Sequence, residues 1–223
     1  MTSTTALSPT PRSTVRRLKA RARTDRQDLY EVLDAGLICH LAVVINGTPV
    51  VLPTCYGRDG DTLYLHGSSG ARSLLTASGG DVSVSVTLVD GLVYARAVMH
   101  FSANYRSAVV HGRPREVDGD ERLHGLRVIV EHMTPGSWDY AREPNKKEMA
   151  ATKVIALSLT ESSVKVRTGP PADDAEDVDN GGVWAGVLPL QQHWGRAIAA
   201  PDLDESVSMP AHIRDRQFTT SGS

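Results

Sequence analysis

Residues 37–56, LICHLAVVINGTPVVLPTCY, decide the architecture. Leu37–Ile45 is an apolar run of strand length. Asn46-Gly47 accepts positive φ at both positions, which closes a two-residue hairpin, and Pro49–Tyr56 is the return strand. Downstream, Gly57–Asp61 (GRDGD) turns the chain and Thr62–His66 climbs again. Val82, Val84, Val86 and Leu88 alternate with Ser83, Ser85 and Thr87, a period of two that marks a strand with one buried face. Asp90-Gly91 is expected to turn the chain into a strand over Leu92–His100. Arg106–Val117 gives another strand, with Gly112 and Pro114 at a bulge or edge. Lys153–Leu159 and Ser163–Thr168 read as a closing hairpin.

Helical signals interrupt this pattern at few places. Thr24-Asp25-Arg26-Gln27 has the form of a capping box, and the helix it opens runs to about Ala35. Leu29, Val32 and Leu33 face inward and Gly36 is the stop. Asp120 opens a second helix with Leu123, Leu126, Ile129 and Val130 inward, closed by Pro135-Gly136. Lys146–Ala151 adds a short helical turn. About seven short strands with peripheral helices predict a mainly β (α+β) chain, an antiparallel barrel. Alternating βα units are absent, which argues against a doubly wound sheet.

The pattern occupies residues 24–190. Before it, Met1–Ser13 is rich in Ser, Thr and Pro and is expected to be disordered. Arg12, Arg16, Arg17, Lys19, Arg21 and Arg23 follow with no acid until Asp25, making residues 1–23 a basic arm that reads as a solvated face. Residues 191–223 carry little pattern and are expected to form a mobile tail. Lys165 and Arg167 read as a solvated strand face.

A net charge of −2 argues against a dedicated nucleic-acid binder. No apolar run approaches the roughly 20 residues of a membrane span, and no secretory signal is visible. Cys39 and Cys55 lie in apolar runs with neither a disulfide framework nor zinc spacing, so a reducing, cytoplasmic setting is expected. Both read as buried structural thiols, with Cys55 also a candidate to line a ligand site.

The segment that suggests chemistry is His66-Gly67-Ser68-Ser69-Gly70-Ala71-Arg72, followed by Ser73-Leu74-Leu75, which begins a helix. Two glycines and two serines allow a tight turn. Arg72 adds a planar fork for phosphate, and a helix N-terminus adds partial positive charge. The composition is that of an anion cradle, though not a P-loop, since the GK[ST] ending is missing. His40 and His100 lie within strands as packed or interface residues, and His124 and His132 are expected on the outer face of the second helix. His111 has two readings, toward a ligand or toward solvent. No histidine pair has a metal spacing, so no metal is assigned. Trp138 reads as a packing residue.

The order of these pieces resembles the flavin-nucleotide-binding proteins related to pyridoxamine-phosphate oxidase, in particular the branch with the nitroimidazole-resistance reductases. LYLHGSSGAR, Arg106–Gly112 and Val183–Pro189 carry the likeness, which spans about Asp25 to Leu190. The resemblance implies a split β-barrel homodimer with FMN at the subunit interface. It places Arg72 on the FMN phosphate, with Gly67, Ser68 and Ser69 as the polar turn, and Leu52-Pro53-Thr54 along the isoalloxazine ring. Ser107 stands where the oxidases carry a flavin-reaching glutamine, and Trp184 matches a late tryptophan that closes the site from the second subunit. His66 matches a histidine near the flavin, either catalytic or hydrogen-bonded to the turn. Two features depart from the oxidases. Ala71-Arg72 replaces two adjacent basic residues, and no arginine–histidine pair clamps substrate near the C-terminus, which argues against vitamin B6 oxidation. The resulting expectation is a flavin-dependent oxidoreductase acting on a small molecule. The alternative is a non-enzymatic flavin- or haem-binding module for storage or sensing, and deazaflavin is a related cofactor.

Overall fold

The computed structural model describes residues 6–8, 10–70 and 79–219. Within them the chain runs β1 (Ala22–Arg23), α1 (Arg26–Ala35), β2 (Ile38–Ile45), β3 (Thr48–Asp59), β4 (Thr62–Ser68) and β5 (Val82–Tyr94). It continues as β6 (Ser102–Gly112), β7 (Arg115–Val117), α2 (Gly119–Met133), α3 (Lys146–Ala151), β8 (Thr152–Ser158) and β9 (Glu161–Arg167). The last elements are α4 (Ala175–Asn180), β10 (Gly186–Pro189) and α5 (Ala211–Arg214).

The Asn46-Gly47 hairpin forms as its residues dictate, with φ of 52° and 77°. From it β3 runs through two sheets. Thr48–Cys55 pair with β2, whereas Tyr56–Asp59 pair with β4. The first sheet has the order β1-β9-β6-β5-β2-β3 with β10 added to β5, and the second has the order β3-β4-β8-β7. All pairings are antiparallel.

Period-two alternation fills the space between the sheets. Val82, Val84 and Val86 meet Leu41, Val43, Leu63, Leu65, Ile155 and Leu157, and α1 plugs one side with Leu29, Val32 and Leu33. β4 and β8 are buried on both faces. Tyr64, Val154 and Ala156 point the other way, where Val117 and Ile129 cover them. Sheets buried on both faces read as continuous apolar runs, which explains Val154–Leu157.

Several expectations change. Strands β8 and β9 form no hairpin, because they pair at opposite ends of the sheet path. Leu159, fully buried, bends the chain across the barrel end, where its N–H donates to Asp61 O at 2.9 Å. Asp90-Gly91 is a bulge inside a continuous β5, not a turn. Arg106–Val117 splits in two: β6 pairs with β5 and β9, while β7 joins the second sheet on β8. The cap of α1 is Asp25, whose carboxylate accepts from Gln27 N–H. A true capping box sits on α3 instead, between Asn145 and Glu148.

Segments 1–23 and 191–223 also differ from expectation where they are described. Leu7 is buried in the main core, Ser8 N–H donates to Ser162 O at 2.7 Å, and Arg12 forks onto Glu161. In the C-terminal segment, Phe218 N–H donates to Trp194 O at 2.8 Å, and Arg216 bonds the Met133 carbonyl at the end of α2. The cause is the same at both ends. A few apolar or planar side chains find a face to cover, and backbone hydrogen bonds then fix the segment.

Candidate functional site

Strand β4 leads into the expected phosphate turn. Leu63 and Leu65 face the barrel interior, so Tyr64 and His66 face the α2 side. His66 pairs with Val154 of β8, Ser69 N–H donates to Ala151 O at 2.8 Å, and Gly70 N–H donates to Ser68 Oγ at 3.3 Å. These bonds pin the turn to the start of β8. They also occupy the Ser69 and Gly70 backbone donors that an anion cradle would use. Arg72, with Ala71 and Ser73–Leu75, lies outside the described residues.

The His66 ring lines a cavity of about 460 Å³, whose apolar walls include Leu126 and Val130 of α2, Trp138 and Met149. Arg142 and Glu148, paired at 2.5 Å, line it as well. His66 Nδ1 is buried with no hydrogen-bond partner. Burial lowers the pKa of the ring from its ordinary value, since desolvation penalises the charged form. The neutral imidazole thus carries an unsatisfied buried nitrogen, which costs free energy, while its ring borders the cavity.

The strand expected along a flavin ring shows a second feature. The β3–β4 ladder stops at Tyr56↔Leu65, although β3 begins at Thr48 and β4 continues to Ser68. Past that point the two strands diverge, and neither Leu52–Thr54 nor His66–Ser68 pairs with the other. Backbone groups along such edges need partners. Leu52 and Thr54 lie on the inner side with Leu41 and Cys39, while Pro53 is exposed opposite His40.

Ser107 sits in mid-β6, between Thr87 and Lys165. The row through Pro53 crosses His40 and Ser85 to Val109, so β2 and β5 separate Pro53 from the Ser107 strand by roughly 14 Å. One chain therefore does not bring Leu52–Thr54 and Ser107 together. Trp184 is farther still. It is 69% exposed and meets Tyr94 edge-on at 5.9 Å, near the end of β5 that carries β10.

These features lie within a stretch, residues 25–166, that matches the family model described as pyridoxamine 5'-phosphate oxidase. The chain belongs to the pyridoxamine 5'-phosphate oxidase family. Among its solved structures, the flavocytochrome Anf3 from Azotobacter vinelandii is 36% identical, with a TM-score of 0.89 over 96% of this chain and 100% of that one. A FAD- and haem-binding protein from Mycobacterium smegmatis is 34% identical, with a TM-score of 0.85 over 89% of this chain and 98% of that one. A Bacteroides thetaiotaomicron protein assigned to 5-nitroimidazole antibiotic resistance shares the fold at 22% identity and a TM-score of 0.57, over 65% of this chain and 86% of that one. No curated protein matches the chain significantly.

For this member of the oxidase family, the sequence left several site features unread. The α2 wall of the His66 cavity was visible as an amphipathic stripe, but Trp138 read only as a packing residue and Met149 only as part of a short helical turn, with nothing to join either to His66. His132 turns inward rather than outward, donating from Nε2 to Gly36 O at 2.6 Å and stacking on Tyr56. His111 Nδ1 meets Ser83 Oγ at 2.8 Å. At the surface, His100, Asp174 and Asp177 bring one ligand atom each within 4.8 Å of one another, a grouping no local spacing announced.

Proposed function

We propose that this chain is a flavin- and haem-binding redox protein that works as a homodimer on a small molecule. The observation that carries the reading is His66, which has a buried unpartnered nitrogen and a ring lining an apolar cavity of about 460 Å³. Haem ligation by histidine needs an uncharged imidazole in an enclosed site. Burial favours the neutral ring, and Leu126, Val130, Trp138 and Met149 supply apolar walls to a cavity open on one side. The volume falls within the range of cofactor pockets. The two relatives above 30% identity, a flavocytochrome and a FAD- and haem-binding protein, support haem beside flavin.

The flavin would lie along the edge of Leu52–Thr54 that β4 leaves unpaired, with its phosphate held by Arg72 rather than by the occupied Ser69 and Gly70 N–H groups. We favour FAD over the FMN expected from the sequence, because the mycobacterial relative binds FAD. Flavin and haem, when bound, supply two- and one-electron exchange. The protein's part is to hold them, to keep the His66 ring neutral and to exclude water with α2.

A second copy would bring Trp184 and Ser107 to the flavin. Supporting this, the outer face of the first sheet exposes Ile38, Val44, Val51 and Val89, and its far end exposes Val98, Met99 and Trp184. A second copy could cover these exposed apolar side chains. No described helix is long and apolar enough to cross a membrane, and two free thiols suit a reducing cytoplasm.

The absorbance spectrum of the purified protein tests the reading. A flavin band and a Soret band are expected, with the flavin released as FAD and bleached by a nicotinamide donor. His66→Ala should lose the Soret band and keep the flavin. An unchanged Soret band in that variant removes His66 from the haem site. A protein with neither band after supplementation with FAD, FMN and haem ends the proposal.

A further inference from the structure

A second cavity, of about 440 Å³, lies between the end of α2 and the C-terminal segment. Pro135, Trp194, Ala197 and Ile213 give it apolar walls, and Arg196 and Arg216 line it too. The segment that builds it is held in place by several bonds. Trp194 N–H donates to Thr219 O at 2.9 Å, Ala197 N–H donates to Gln217 Oε1 at 2.8 Å, and Arg216 lies over the Trp194 ring at 4.0 Å.

The charge around this cavity is unbalanced. Among the described residues, the Arg216 guanidinium donates to a neutral carbonyl, that of Met133 at 2.8 Å. Arg196 pairs with no carboxylate among the described residues. The acids nearby are engaged elsewhere: Glu131 accepts from Gly136 and Trp138 N–H at 2.8 Å each, and Asp215 pairs with Arg214. Two guanidinium groups on an apolar cavity, neither paired with a carboxylate among the described residues, match a ligand that is apolar in body and anionic at one end. A guanidinium fork matches planar carboxylate geometry bidentately, and an apolar cavity suits a carboxylate, with its single charge, better than a doubly charged phosphate. Ser137 lines this cavity and the His66 cavity alike, so the two adjoin.

We propose that the cavity between α2 and residues 194–217 binds a carboxylate carried on an apolar ring system. Two sources share that chemistry: a free small-molecule carboxylate, or a propionate of a haem held in the adjoining cavity. The first does not depend on the redox reading.

The test titrates naphthoate, and its neutral analogue naphthamide, into the full-length protein, followed by tryptophan fluorescence and calorimetry. Naphthoate should bind at least about tenfold more tightly than naphthamide. Arg216→Gln should abolish that preference. Arg216 also braces Trp194, so Arg196→Gln, at an exposed residue with no side-chain bond among the described residues, serves as the second variant and should weaken naphthoate several-fold. Loading haem first separates the sources. Naphthoate binding that survives assigns the site to a free carboxylate. Competitive loss of naphthoate, with weaker haem binding in Arg196→Gln, assigns it to a propionate. Equal affinity for the two probes, no binding, or indifference to both substitutions overturns the proposal. Absence of a Soret band bears only on the redox reading and leaves the naphthoate result standing.

Discussion

Replacing Gly57 with alanine should lift α2 off the second sheet and loosen one wall of the His66 cavity. A Cβ at Gly57 would lie 2.5 Å from the Val128 carbonyl oxygen, 2.7 Å from its carbon and 2.8 Å from Ile129 N. These are backbone atoms, so no side-chain rotation relieves the overlap. Restoring contact near 3.5 Å takes roughly 1 Å of helix displacement, and a gap of that size forfeits about a quarter to a half of each dispersion well it opens. The contacts at stake are those of Ile129 with the cluster of Tyr64, Val117, Val154 and Ala156. Overpacking a core costs about 1–3 kcal/mol, and an obstacle made of backbone puts this variant at the upper end. Leu126 and Val130 ride on the same helix and line the cavity, so haem affinity should fall in parallel. Urea unfolding followed by circular dichroism measures the first effect, and haem titration measures the second. Gly195→Ala is the control, since a Cβ there meets nothing within 4 Å. If Gly57→Ala proves as stable as that control, helix and strand do not meet backbone to backbone at Gly57 and the reasoning fails.

Other outcomes are expected on similar grounds. Tyr56→Phe should cost about 1–3 kcal/mol, because the buried hydroxyl donates to Leu33 O at 2.5 Å and Gly36 O at 2.8 Å; unchanged urea unfolding would remove that role. His66 has a folded pKa below its ordinary 6.5, so the unfolded chain binds more protons in that window. Stability tied to the neutral ring is complete above about pH 6.5 and lost as pH falls through the folded pKa. Thermal scans of His66→Gln should therefore show a smaller loss than wild type between about pH 7 and 5, with the Arg142–Glu148 pair and Glu143 on the cavity unchanged. Cys39 is fully buried and its thiol is pushed up to about 12, chiefly by burial. Native thiol titration should accordingly find no more than the Cys55 group, and denatured protein should release both. Trp184→Ala should shift sedimentation toward monomer without lowering the unfolding temperature of the separated chain, since the ring is largely exposed in it.

The part of the site carried by one strand was readable in advance. LYLHGS announced a strand entering a tight turn, and β4 ends there, with His66 at the last turn of alternation before the glycine. The part carried by contact was not readable. Trp138 and Met149 reach the His66 cavity only because α2 packs flush against Gly57 and the following segment folds back over β8. The divergence of β3 from β4 beyond Tyr56 depends on which strand pairs with which edge, and no residue type announces it.

By itself the sequence determined the local physics. Valines at period two in Val82–Val86, the positive-φ pair Asn46-Gly47, and Leu29, Val32 and Leu33 on one helical stripe each dictate a conformation through neighbours a few residues away. Tertiary structure decided partnership. Lys153–Leu159 and Ser163–Thr168 look like a hairpin because both are strands close in sequence. Yet β8 pairs with β4 and β7 while β9 pairs with β6 and β1, and buried Leu159 carries the chain across the barrel end between them. Asp90-Gly91 has turn chemistry, but β6 offers a continuous partner and the pair settles as a bulge. The C-terminal segment has no period to read. Its order comes from Trp194, Arg216 and the end of α2, which meet only once the chain has folded.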